Sequence, residues 1–228
     1  MQTRLTMMLG LAGALFTTAA HAHVSVASGP AIANQSQVVT FSISHGCGDA
    51  DTNSVMIEIP AGVTFVRPMT SDFGAATVTT DGSGNVTTVT WQKPESDELD
   101  VDTNFYTLSL YLRTPDRPFT QHYFRAHQTC RAANGDLTTV DWVALPGAAG
   151  EPAPVLVVLP ARLPGWNKYI VNEHLSDVSP YFQEAQIVWR GTAAYSFNPN
   201  TAAQITTTPG VTSLAGGLHP GDEIWVKY

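Results

Sequence analysis

The six residues Val39-Thr40-Phe41-Ser42-Ile43-Ser44 alternate strictly between apolar and polar side chains. This period of two is typical of a β-strand that buries one face and exposes the other. Residues 55–59 repeat the pattern, with Glu58 on the polar face. The alternation predicts half-buried strands at both segments.

Short segments of the same kind continue to about residue 159 and contain no long amphipathic helix pattern. Gly82-Ser83-Gly84-Asn85 separates two Thr/Val-rich runs at residues 75–80 and 86–91 and predicts a hairpin turn. Further strands are predicted at residues 105–113, 122–130, 140–145 and 155–159. Seven to nine short strands with frequent turns favour an antiparallel β-sandwich over residues 23–159.

The sequence pattern changes after residue 159. Residues 168–172, 186–190 and 223–228 have strand character, whereas residues 176–185 and 201–205 have helical character. We therefore expect a small C-terminal α+β module at residues 160–228, with Trp166, Trp189 and Trp225 in its core. The fold predicted for the whole chain is mainly β: an antiparallel β-sandwich followed by this module.

Composition limits the classes of function. The chain has 228 residues, with 11 Lys+Arg against 19 Asp+Glu and a formal net charge of −8. Because no cluster of Lys or Arg offers a surface for phosphates, we expect no nucleic-acid binding. The sequence contains neither a Gly-x-Ser-x-Gly nor a His-Glu-x-x-His motif, so hydrolase chemistry gains no support.

Residues 1–22 have the three parts of a secretory signal peptide. Arg4 supplies the positive charge, residues 5–16 are mostly apolar, and Ala20-His21-Ala22 forms a small-x-small cleavage pattern. This apolar run, like every later one, is shorter than the roughly 18 residues of a membrane span. We expect a periplasmic or secreted protein that begins at His23 and has no membrane span after signal cleavage. Cleavage after Ala20 is the alternative, and it would leave His21-Ala22-His23 at the terminus.

The expected compartment indicates the oxidation state of the two cysteines. In an oxidising environment, Cys47 and Cys130 favour a disulfide over a thiolate metal site. A reactive free thiol is the alternative interpretation.

Removal of the signal peptide would give His23 a free α-amine. The reference pKa of such an amine is about 8, so a metal ion can displace its proton at neutral pH. The amine and the imidazole of one residue can then close a chelate ring, and nitrogen ligands in a flattened geometry favour Cu(II). The alternative is that cleavage falls before a histidine that has no metal-binding role.

Five short motifs occur together within residues 23–145. They are His23-Val24-Ser25-Val26, His45-Gly46-Cys47-Gly48, Ile59-Pro60-Ala61-Gly62-Val63, Gln128-Thr129-Cys130 and Asp141-Trp142. In this order they resemble the YcnI-like copper-binding proteins. The resemblance implies an extracytoplasmic β-sandwich that holds Cu(II) in a mono-histidine brace. The terminal amine and the side chain of the post-signal histidine form this brace, and a carboxylate and a tryptophan assist them.

Three residues take metal-site roles from this resemblance. His23 matches the brace, and Trp142 matches the auxiliary tryptophan, whose aromatic face would shield the ion and favour Cu(I) by cation–π contact. A core position in the sandwich is the alternative for Trp142. Glu58 is the carboxylate candidate because it lies off the apolar face of its strand, with Asp141 and Glu95 as alternatives.

The other histidines have weaker claims to bind metal. His45 lies in a tight turn beside the cysteine, and we expect it to hydrogen-bond the turn backbone. His122 and His127 are five residues apart, so one regular strand would place them on opposite faces and exclude joint ligation. His174 and His219 are predicted surface residues.

The function predicted from the sequence is extracytoplasmic copper binding for copper carriage or homeostasis, without enzymatic activity. Cu(II) is the expected ligand, and another copper-handling protein is the expected partner. A non-metal adhesion or assembly module is one alternative. An oxidative copper enzyme is another, but such a site would need a second histidine from elsewhere in the chain.

Overall fold

Short antiparallel strands dominate the first two thirds of the protein. The computed structural model describes residues 23–214 and 216–228, so the predicted signal peptide at residues 1–22 lies outside the described residues. The strands are β1 (Val24–Val26), β2 (Ala31–Ile32), β3 (Ser36–Ile43), β4 (Asp51–Glu58), β5 (Thr64–Pro68), β6 (Thr77–Thr80), β7 (Val86–Gln92), β8 (Tyr106–Arg113), β9 (Thr120–Tyr123), β10 (Ala126–Arg131), β11 (Leu137–Ala144), β12 (Glu151–Pro152) and β13 (Val155–Leu159).

These strands form the predicted β-sandwich. One sheet has the order β1-β3-β8-β5 and the other has the order β12-β11-β10-β4-β7-β6. All neighbouring strands in them are antiparallel except the pair β11 and β12. A small third sheet, β2-β13-β9, lies beside them. The mainly β fold class predicted from the sequence is therefore confirmed.

The alternating segments supply the core of the sandwich. Phe41 and Ile43 of β3 and Val55 and Ile57 of β4 are completely buried, as the period of two predicts. Full burial of an aliphatic or aromatic side chain of this size stabilises the fold by about 1.5–3 kcal/mol. The hydrophobic interior between the sheets also contains Trp142.

The predicted hairpin between β6 and β7 is present, and an aspartate closes its turn. Asp81 Oδ1 accepts hydrogen bonds from the backbone N–H groups of Ser83 at 2.8 Å and Asn85 at 2.9 Å. The hydrogen bonds from Asn85 and the neighbouring backbone lower the pKa of the Asp81 carboxyl. Gly84 has a φ of 83°, a left-handed conformation that suits glycine.

One predicted strand is divided in two. Residues 122–130 form the end of β9 and most of β10, which belong to different sheets. Phe124 lies between them and is completely buried in the sandwich core. The chain changes sheets at this point, so a single regular strand was the wrong prediction.

The C-terminal module has its own sheet and a short helix. Its elements are β14 (Trp166–Ile170), β15 (Ile187–Arg190), β16 (Ala193–Tyr195), helix α1 (Pro199–Thr207), β17 (Thr212–Ser213) and β18 (Glu223–Lys227). The sheet has the order β14-β18-β15-β16-β17. Asn198 caps α1, because its side chain accepts hydrogen bonds from the N–H groups of Asn200 and Thr201.

The helix predicted at residues 176–185 is not formed. Only Ser179–Tyr181 makes a single 3-10 turn there. Pro180 lies in the middle of this segment, and proline disrupts the hydrogen bonding of a helix interior. Val178 and Phe182 are nevertheless buried, so the segment packs by its apolar side chains without forming a helix.

The predicted tryptophan core of the C-terminal module is wrong. Trp166 and Trp225 are 51% and 45% exposed, and Trp189 is half-buried. Val188 and Val226 are cross-strand partners with completely buried side chains, so the next pair, Trp189 and Trp225, faces the other side of the sheet. Smaller residues form the core instead, including Val171, Phe182, Val188, Leu218, Ile224 and Val226.

The sandwich and the C-terminal module share one hydrophobic cluster. Phe119, from the connection before β9, packs its ring against the rings of Tyr169, Tyr181 and Phe182 at centroid distances of 5.7, 6.1 and 5.7 Å. Leu159 at the end of β13 joins the same cluster. No helix among the described residues is long and apolar enough to cross a membrane.

Candidate metal site

His23 is the first described residue and lies at one edge of the sandwich. It precedes β1, the edge strand of the four-stranded sheet, whose Val24 is the register partner of Ile43 in β3. This register brings His23 next to Ser44, and the backbone N–H of His23 donates to Ser44 Oγ at 3.3 Å. The side chain of His23 is exposed.

Trp142 approaches His23 from the opposite sheet. The two ring centroids are 5.5 Å apart, and the ring planes are inclined at 41°. Trp142 belongs to β11 and is only 1% exposed, so it is both a core residue and a neighbour of His23. The two interpretations drawn from the sequence are therefore compatible.

A buried glutamine holds the tryptophan in place. Gln128 Oε1 accepts a hydrogen bond from Trp142 Nε1 at 3.2 Å. Its Nε2 donates to the backbone oxygen of His45 at 2.9 Å and to Thr52 Oγ1 at 2.8 Å. Gln128 thereby connects the indole to the turn that follows β3, and it is the positioning residue that the sequence analysis missed. The available signals were its place in the Gln128-Thr129-Cys130 motif and a polar side chain on the buried face of β10.

Glu58 lies on the other face of the sheet from Trp142. Ala126 of β10 is the register partner of both Trp142 and Ile57, and register partners point to the same face. Glu58 follows Ile57 in β4, so its side chain points outward. The structure does not bring Glu58 to His23 and Trp142, and the predicted three-residue site is not assembled. Because the Glu58 side chain lies on the outer, polar face of the sheet, it cannot reach the ring of Trp142, which is buried on the inner face.

Glu58 instead belongs to a cluster on the outer face with His127 and Asp141, here called the outer cluster. His127 Nδ1 is 2.6 Å from Asp141 Oδ1, and His127 Nε2 is 3.1 Å from Glu58 Oε1. Arg125 Nη1 lies 3.9 Å from Glu58 Oε2. Burial lowers the pKa of His127, but its hydrogen bonds to the carboxylates of Asp141 and Glu58 outweigh this effect and raise that pKa overall.

The other carboxylate alternative also lies away from His23. Glu95 begins a 3-10 turn and pairs with Arg131 at 3.6 Å. Among the residues that the structure describes, no group of three or more His, Cys, Asp and Glu side chains is arranged to hold a metal ion.

His45 makes the turn hydrogen bond that the sequence predicted. Its Nδ1–H donates to the backbone oxygen of Gly46 at 2.8 Å. The following Cys47 forms the predicted disulfide with Cys130 of β10. His122 lies in β9, in a different sheet from His127, so the two are poor joint ligands because of their separate strands and not because of alternation.

Comparison with known proteins gives a family match over the strand-rich part of the chain. A family model described as a domain of unknown function, DUF1775, matches residues 23–158. A search of curated proteins returns no significant match.

Several solved structures resemble the chain. An uncharacterized protein from Nocardia farcinica with an immunoglobulin-like fold has 23% identity and a TM-score of 0.48, with 60% of this chain and 98% of that chain covered. A non-cellulosomal cohesin from Archaeoglobus fulgidus has 11% identity and a TM-score of 0.38, covering 60% and 89%. The major pilin subunit BcpA of Bacillus cereus has 12% identity and a TM-score of 0.36, covering 86% and 54%. Because the family model matches more than half of its residues, the chain belongs to the DUF1775 family, the family of the YcnI-like proteins.

Proposed function

We propose that the processed protein binds Cu(II) through the α-amine and imidazole of His23 and carries copper outside the cytoplasm. The observation that supports this most directly is the position of His23. It is the residue after the predicted cleavage site, it is exposed at the edge of β1, and its ring lies 5.5 Å from that of Trp142.

The chemistry of His23 suits Cu(II). A neutral amine and a neutral imidazole on one residue give two nitrogen donors to one ion, and Cu(II) has the highest affinity of the divalent ions for such ligands. Signal cleavage creates the amine, so binding would follow export. Trp142 lies close enough to cover one side of the site, and its aromatic face would favour Cu(I) after reduction.

The outer cluster supplies no carboxylate to the proposed site. Glu58 and Asp141 both pair with His127 on the outer face, so the donors that the proposal names are the two nitrogens of His23. Further donors would complete the coordination of Cu(II), and exchange of one of them for a donor from a receiving protein would allow transfer without unfolding of the sandwich.

The test begins with mass spectrometry of the exported chain, which identifies the N-terminal residue. Cu(II) is then titrated into the processed protein, into the same protein with its terminal amine acetylated, and into His23→Ala. Electron paramagnetic resonance distinguishes copper at the terminal nitrogen from copper bound elsewhere. We expect acetylation and His23→Ala each to weaken this site by about 100-fold or more, since either change removes one of the two chelating donors.

Two control variants define the site. His127→Ala alters the outer cluster and should leave Cu(II) binding at His23 unchanged. His45→Ala removes an imidazole from the adjoining turn, and we expect the affinity of the His23 site for Cu(II) to be nearly unchanged in this variant as well. Unchanged Cu(II) affinity in the acetylated protein or in His23→Ala would refute the proposal. Rapid peroxide-driven cleavage of polysaccharides would instead support an oxidative enzyme.

A further inference from the structure

Two histidines of the C-terminal module face each other across a β-bridge. Leu175 and Leu218 form an antiparallel bridge in which each backbone N–H donates to the other residue's oxygen, at 2.8 and 2.9 Å. His174 precedes Leu175 and His219 follows Leu218, so the two histidines face each other as the adjoining non-hydrogen-bonded pair. Such pairs bring side chains closest together across antiparallel strands.

The two imidazoles are in contact and accessible to solvent. Their ring centroids are 4.8 Å apart, with the planes inclined at 51°. Leu175 and Leu218 are buried beneath the bridge, whereas His174 and His219 are exposed on its other side. A metal–imidazole bond is about 2.0–2.1 Å long, so two rings at this separation can reach one ion by small side-chain rotations.

The backbone beneath the pair is fixed by a glycine and an aspartate. A Cβ atom on Gly217 would lie 2.3 Å from the backbone oxygen of Leu175, so only glycine permits this close approach of the two segments. Asp222 Oδ2 accepts hydrogen bonds from the N–H of His219 at 2.8 Å and from Arg190 Nη1 at 2.9 Å. The segment carrying His219 is thereby held in place before any metal binds.

Asp222 also places negative charge beside the pair. Asp222 Oδ2 lies 3.8 Å from His219 Nδ1, beyond hydrogen-bond distance. At this distance the carboxylate contributes a nearby negative charge for a cation held by the ring.

We propose that His174 and His219 form a second metal site, a two-imidazole chelate for Cu(II) and related divalent ions such as Zn(II). Water or a donor from another molecule would complete the coordination. Two protein donors predict moderate affinity, with a dissociation constant on the order of micromolar. This site does not depend on signal cleavage or on the proposed function of His23.

The test uses the full processed chain carrying His23→Ala, so that the N-terminal chelate is removed. Cu(II) and, separately, Zn(II) are titrated by calorimetry. We expect one bound equivalent, with affinity weakened by about 10-fold or more in His174→Ala and in His219→Ala, since each variant keeps a single imidazole. His122→Ala, which alters a half-buried histidine of the sandwich, is the matched control and should bind unchanged.

A second readout locates the metal directly. In nuclear magnetic resonance spectra, Zn(II) should shift the imidazole signals of His174 and His219 together and leave those of His122 in place. Absence of any bound equivalent in the His23→Ala chain, or unchanged affinity when His174→Ala and His219→Ala are added to it, would overturn the proposal. The two proposals fail separately. In the processed chain, an equivalent lost only with His23→Ala supports His23 alone, whereas one lost only with His174→Ala and His219→Ala supports this pair alone.

Discussion

At the scale of single residues, buried polar side chains determine what surrounds the candidate copper site. Gln128 is completely buried and makes three hydrogen bonds, to Trp142, to the His45 backbone and to Thr52. A buried amide with every partner in place fixes the orientation of its neighbours, whereas its removal leaves those partners unpaired. The orientation of Trp142 toward His23 therefore depends on a residue that does not touch the proposed ion.

Replacement of Gln128 tests this dependence. Gln128→Leu should destabilise the protein by about 2–3 kcal/mol, because it leaves the Trp142 N–H and the His45 oxygen without partners. Urea unfolding measures this loss, and the near-ultraviolet circular dichroism of tryptophan should change as well. Gln183→Leu, at an exposed position, should change stability by less than about 0.5 kcal/mol and provides the control.

His127 should make stability depend on pH. Burial lowers its pKa, but hydrogen bonds to the carboxylates of Asp141 and Glu58 outweigh burial and raise the pKa above the usual 6.5. The stabilisation is fully present below pH 6.5 and is lost as the pH rises through the folded-state pKa. The stability difference between the wild type and His127→Ala should thus shrink as the pH is raised. A difference that stays constant from pH 5 to about 8 would contradict this assignment.

At the scale of elements, periodicity predicted the central strands but missed the shortest ones. Phe41 and Ile43 identify β3 because a period of two extends over several residues. β1 has three residues and β12 has two, too few for any period to be visible, yet β1 directly follows His23. The location of the candidate site therefore depended on the predicted cleavage site and the motif resemblance, and the pairing of His23 with Trp142 required the structure.

The connection at residues 92–102, which is acidic in sequence, is tied to β4 through a buried ion pair. Lys93 Nζ lies 2.5 Å from Asp51 Oδ2 and donates to Tyr106 Oη at 2.6 Å. Tyr106 Oη in turn donates to Asp51 Oδ1 at 2.8 Å, and the Leu99 N–H donates to Asp51 Oδ2 at 3.1 Å. Burial and the neighbouring Asp51 raise the pKa of Tyr106, so its hydroxyl stays protonated and able to donate.

Removal of the cation should be costly. Lys93→Met leaves Asp51 buried and without its counter-charge, which typically destabilises a protein by about 3–5 kcal/mol. Chemical denaturation of this variant measures the loss. The double variant Lys93→Met with Asp51→Leu should recover much of the stability, because it removes both charges together. A single variant as stable as the wild type would show that the pair contributes little.

At the scale of the whole molecule, Phe119 joins the sandwich to the C-terminal module. Its ring contacts three aromatic rings of the module, and its backbone has a φ of 62°, which is uncommon for a bulky residue. Packing on all sides offsets this strain. Most strands of the module could be predicted from its sequence, but its core could not. The large tryptophan side chains were predicted to be buried, whereas the alternation of side chains along their strands places them on the exposed face of the sheet.

Truncation of Phe119 should weaken the connection between the two parts. Phe119→Ala should cost about 3–5 kcal/mol, as expected for a large aromatic side chain removed from a core. We expect the unfolding transition to broaden or to split, because the shared cluster no longer couples both parts. Phe105→Ala, at a 63% exposed position, is the control and should retain a single transition. If Phe119→Ala and Phe105→Ala both unfold in one equally sharp transition, the shared cluster does not couple the unfolding of the sandwich to that of the module.

The disulfide between Cys47 and Cys130 has a consequence for the timing of copper capture. It joins the turn that carries His45 to the strand that carries Gln128, next to the candidate site. If the protein is exported as we propose, this crosslink and the terminal amine would both arise only after translocation. The unprocessed precursor would then lack the covalent features needed to compete for cytosolic copper, and it would become a competent acceptor only at its destination.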